Sequence, residues 1–110
     1  MSDEANIPDI VQFWEDIILD WITRNAGVRR ERIVKTRRFT EEPVNLSVVK
    51  VLNMMDDLVT IHNRKYNANL VLSQNWRLTH RTDKIGDFVA AFLDVVTSED
   101  VGRVKKTGIA

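Results

Sequence analysis

The chain contains no cysteine, and that absence removes disulfide scaffolds, thiol nucleophiles and cysteine-based zinc or iron–sulfur sites together. Its four glycines, Gly27, Gly86, Gly102 and Gly108, stand apart from one another, so no glycine-rich phosphate loop can be assembled from them. There are only two histidines, His62 and His80, which leaves a thin inventory for acid–base chemistry. A long apolar run is also missing. The best stretch, Ile10 to Ile22, is interrupted by Glu15, Asp16 and Asp20, and the acidic start lacks the basic segment of a secretion signal. A cytoplasmic protein without membrane association is therefore expected. Strand signals are as scarce: Leu70-Val71-Leu72 is the single candidate, and an isolated strand has no partner.

What is present suits one compact domain. The chain has 110 residues, 44% of them hydrophobic and 29% charged, enough for about two-thirds of the chain's surface to be buried on folding. A single domain over residues 1–100 is expected, followed by a disordered tail over 101–110, where two glycines and three basic residues show no pattern. Sixteen basic and sixteen acidic residues cancel, but in blocks: residues 1–26 carry a net −5 and residues 27–38 a net +5. Such blocks can attract one another within the fold or present separate faces to partners.

Three stretches have helical periodicity. Ile10, Phe13, Trp14, Ile17, Ile18, Trp21 and Ile22 recur on one face, with Pro8 and Asp9 suited to the first turn and Gly27 to the stop. A second helix, from about Ser47 to Lys65, places Val48, Val51, Leu52, Met55, Leu58, Val59 and His62 on one stripe, widened by Val49 and Met54; Asn45 and Ser47 are both competent N-caps. A final helix follows Thr82 or Asp83 as its cap, with the stripe Ile85, Phe88, Val89, Phe92, Leu93 and Val96. Between the first two lies a long charged loop from Val28 to Asn45, with Ile33, Val34 and Phe39 expected to point inward. A short helix from about Ser73 to Leu78 should turn Trp76 and Leu78 inward. The fold class expected is thus all-α, a bundle of three longer helices and one short one.

No constellation of catalytic residues stands out. His62 falls on the apolar stripe, as a core-edge histidine does, and His80 reads as a solvated loop residue. Asp56-Asp57 and Glu41-Glu42 are adjacent rather than facing, which suits neither a metal nor glycoside hydrolysis. An enzyme is not expected, nor a metal site. The basic stretch Arg29, Arg30, Arg32, Lys35, Arg37 and Arg38 could attract phosphates, but the chain is neutral and no aromatic platform is interleaved beyond Phe39, so nucleic acid ranks behind proteins as a partner.

The order of elements, with a second helix opening on a serine, resembles the acyl or peptidyl carrier protein family. "NAGVRRERI" is similar to that family's turn after the first helix, "KYNANL" to the end of its second helix, and "DKIGDFVAAFLDVV" to its last helix, so the resemblance spans roughly residues 8–97. It implies a module that presents an acyl group to partner enzymes on 4'-phosphopantetheine, attached to Ser47 in "NLSVV", and a monomer. The chain departs from the pattern where Leu46 stands in place of aspartate, where no glycine precedes it, in a longer second helix and in a basic first loop. Ser47 therefore carries two readings, attachment point and helix cap. The alternative function is a helical adaptor with the same fold and no prosthetic group.

Overall fold

The computed structural model describes the backbone of residues 2–109 and the side chains of residues 10–98. Its elements are α1 (Ser2–Ala26), a single 3₁₀ turn (Arg30–Arg32), α2 (Val48–Tyr66), α3 (Gln74–His80) and α4 (Ile85–Ile109). Among the described residues there is no strand; one isolated antiparallel bridge joins Arg38 to Lys84. The all-α class and the bundle of long and short helices are as expected. Helix α1 starts ahead of Pro8, and the segment 101–110, expected as a tail, lies outside the residues whose side chains are described.

The core forms where the three apolar stripes meet. Trp14, Ile18 and Ile22 of α1, Val51, Met54, Met55 and Leu58 of α2, and Ile85, Phe88 and Phe92 of α4 are fully buried. An aromatic chain threads them together. Trp14 meets Phe92 edge-on at 5.2 Å, Phe92 lies 6.2 Å from Phe88 with nearly parallel rings, and Phe88 meets Phe39 of the long loop at 5.3 Å and Trp76 of α3 at 5.8 Å. Each such pair adds about 0.5–1.5 kcal/mol beyond the burial of its area. His62 completes the set as a fully buried residue between Trp14 and Tyr66, in keeping with its place on the α2 stripe.

The helix ends show how each segment is held. At the start of α2, the Ser47 hydroxyl accepts the Lys50 amide at 3.1 Å, so Ser47 rather than Asn45 is the cap. Asn67 ends α2 in the left-handed conformation that asparagine tolerates. Beyond it, the Asn63 side chain accepts from the Leu70 amide at 2.8 Å and donates to the Leu70 carbonyl at 3.2 Å. That pair satisfies the Leu70 backbone, and Arg77 Nε donates to the Leu72 carbonyl at 3.2 Å; Leu70 and Leu72 are buried while Val71 faces out.

Five expectations need correction. Leu78 is 46% exposed, not inward: it lies two residues from the half-buried Trp76, and positions two apart point to opposite sides of a helix. Val49 and Val34 are likewise exposed, while Met54 is in the core. His80 is not a freely solvated side chain, for its Nδ1 lies 2.6 Å from Asp83 Oδ2 and its ring packs on Trp76 at 4.3 Å. Finally, neither Thr82 nor Asp83 caps α4. The Ile85 and Gly86 amides donate to the Arg37 and Lys35 carbonyls of the long loop, each at 2.9 Å. The absence of a side chain at Gly86 eases this approach, since a Cβ there would sit 3.3 Å from the Lys35 oxygen, a tight contact.

Truncating the aromatic junction should therefore be costly. Phe88→Ala should lose about 3–5 kcal/mol in urea unfolding, whereas Leu78→Ala should stay within about 0.5 kcal/mol of the parent.

Candidate functional site

The segment leading into α2 alternates like an extended chain. Val44 and Leu46 point into the core, and Asn45 and Ser47 point to solvent. The Leu46 amide donates to the Phe39 carbonyl at 2.8 Å and the Asn45 amide to the Glu41 carbonyl at 2.8 Å, so the turn closes on itself before the helix begins. Asn45 has a positive φ of 52°, another left-handed position filled by asparagine. Burial of Leu46 thereby sets the outward direction of Ser47. The Ser47 oxygen sits at the positive end of a 19-residue helix whose first turn holds no acidic residue and whose Lys50 is exposed. Negative charge at that oxygen is electrostatically favoured.

The basic loop lies between α1 and α4 and divides into two sets of cations. Arg30 pairs with Asp16 and Lys35 with Glu15, both carboxylates belonging to α1, while Arg38 pairs with Glu41 at 3.8 Å and donates through Nε to the Thr82 carbonyl at 3.0 Å. The hydrogen bond from Arg30, helped by one from Gln12, holds the Asp16 carboxyl below its ordinary range. Arg29, Arg32 and Arg37 form no ion pair among the described residues. The opposite charge blocks of residues 1–26 and 27–38 thus partly satisfy one another within the fold. Part of the positive block remains turned outward.

The other sequence candidates are absorbed by structure. Asp57 accepts the Trp21 indole N–H at 2.7 Å, and Asp56 pairs with Arg77 at 2.6 Å, so the two adjacent carboxylates serve different contacts. The His62 Nδ1 lies 3.1 Å from Asn63 Oδ1, deep in the core. Among the described residues no group of three metal-ligating side chains occurs. Nor is any helix there long and apolar enough to cross a membrane. Two features escaped sequence reading: the bridging role of Asn63, and the division of the arginines into paired and unpaired sets. The first had a signal in the Asn-rich turn after α2. The second depends on which loop faces α1 and had none.

No protein-family model, curated protein or solved structure matches the chain.

Two outcomes follow from this geometry. Ser47→Ala should cost about 1 kcal/mol by losing the cap, and Ser47→Gly only a few tenths. The Asp16 carboxyl, followed by NMR through a pH titration, should protonate below the usual aspartate range and move back toward it in Arg30→Ala, where the Gln12 hydrogen bond remains. Because its folded pKa is the lower one, the Asp16–Arg30 contact is fully formed above the unfolded aspartate pKa and is lost as pH falls through the folded value.

Proposed function

We propose that this chain is a non-catalytic, carrier-like module that presents an acyl group to partner enzymes from 4'-phosphopantetheine attached at Ser47. The observation that carries this reading is the pairing of an inward Leu46 with an outward Ser47 at the start of α2. It gives an exposed hydroxyl, held by the Lys50 amide, at the positive end of a helix. A phosphodiester there would meet no carboxylate in the first turn and would have Lys50 close in sequence. The residues present fit the group in charge and exposure.

When bound, the prosthetic group supplies a thiol for thioester chemistry, which a chain without cysteine cannot supply from its own side chains. The contribution of the chain is positional. Leu46 anchors the turn, Ser47 offers the oxygen, and the α2 dipole favours the phosphate. Such a module works in the cytoplasm and acts as a monomer. The second reading, an adaptor of the same shape without a group, is favoured by one observation. Leu46 is buried, whereas the resembled family carries an aspartate at that place, so a transferase that requires the acid finds none.

Intact mass spectrometry of the protein from its native host separates the two. A phosphopantetheine adduct that disappears in Ser47→Ala is the expected result, with slow or no modification by a promiscuous transferase and faster modification by a dedicated one. Urea unfolding shows whether the variant retains its fold. An unmodified mass under every condition would leave the adaptor reading in its place.

A further inference from the structure

We infer that Arg29, Arg32 and Arg37, gathered around Pro43, form a docking surface for an acidic segment of a partner protein. Arg29 leads into the 3₁₀ turn with an extended backbone and Arg32 ends it, and the two side chains border the same cleft. The Arg32 amide donates to the Arg29 carbonyl at 2.9 Å, which fixes the turn. Arg30, within the same turn, is committed to Asp16 of α1. The turn thus sorts its arginines: one ties the loop to the helix, and two are left on a common side.

Arg29 and Arg32 share the wall of a cleft of about 340 Å³ with Gly27, Val28 and Pro43, and none of the described residues on it is a carboxylate. Guanidinium groups bind carboxylates through paired N–H donors, and both guanidinium groups here are exposed and unpaired among the described residues. Arg32 and Pro43 also line an adjoining cleft with Val34, Arg37, Glu31 and Glu42. This second wall decides the class of partner. A nucleic-acid backbone, with a phosphate at every step, would be carried against Glu31 and Glu42. A peptide can instead set its carboxylates on Arg29 and Arg32, and apolar or basic residues on Val34, Pro43 and Glu42. The surface is independent of the carrier reading, since it is the same whether or not Ser47 carries a group.

The test uses the full ¹⁵N-labelled chain at low salt, titrated with a synthetic peptide whose Glu residues are followed by Ala and Lys residues and, separately, with a short DNA duplex. Peptide-induced amide shifts are expected to centre on Gly27 and Val28. Arg29→Glu with Arg32→Glu should weaken peptide binding by about tenfold or more. The same direction is expected for the milder pair Arg29→Ala and Arg32→Ala, whose amide spectrum reports that the fold is kept. Arg64→Glu, in the last turn of α2, should leave affinity within about twofold. Peptide binding that is absent, or unchanged in both double variants, overturns the proposal. So does DNA binding of equal strength through the same arginines, which would assign the surface to nucleic acid.

Discussion

Phe88 is the point at which the chain's separate segments are tied. From α4 its ring meets Phe39 of the long loop, Trp76 of α3 and Phe92 one turn further on, and Phe92 passes the contact to Trp14 of α1. Phe39, fully buried, and Ile33, packed against the core on the other side, hold residues 35–38 against the start of α4, where the Arg37 and Lys35 carbonyls receive the Ile85 and Gly86 amides; losing Phe39 loosens that hold. Helix α4 would then open with unsatisfied donors, a cost that sequence-local capping does not meet here because Asp83 is engaged by His80. A hydrophobic anchor and a backbone cap are one device. The loop supplies the cap because its aromatic residue is buried.

The same arrangement positions the surface groups on which function depends. The Phe39 carbonyl receives the Leu46 amide, which sends Leu46 inward and Ser47 outward at the start of α2. On the other side of the loop, Lys35 and Arg30 reach the carboxylates of α1 and tether the turn beside the cleft that Arg29 and Arg32 line. Exposed ion pairs contribute little to stability, typically below about 1 kcal/mol. Their effect here is on orientation, and the energy comes from the aromatic junction.

The three long helices and the Ser47 cap were legible in the sequence because helical period and capping chemistry are local. His62 could be placed in the core for the same reason. Within the loop the inward Phe39 and the partly buried Ile33 were legible, but the rest was not, since its order comes from contacts with α1 and α4 that no local pattern encodes. Local reasoning even pointed to the wrong cap for α4: Thr82 and Asp83 are good cap residues, but a tertiary hydrogen bond from a distant carbonyl took their place. Leu78 was misplaced because a seven-residue helix offers too few turns for apolar content to reveal its face. Of the candidate site, Ser47 and its exposure could be expected. The inward Leu46, and the sorting of arginines into tethers and free groups, required the fold.

Amide hydrogen exchange distinguishes a loop that is an integral part of the core, through its hold on α4, from one that lies loosely over it. In an integral loop the Ile85, Gly86 and Leu46 amides exchange as slowly as the Met55 amide in the middle of α2, because all four are released only when the aromatic junction opens. Exchange of Ile85, Gly86 and Leu46 at the rate of an unstructured peptide, with Met55 still protected, would contradict that integral role.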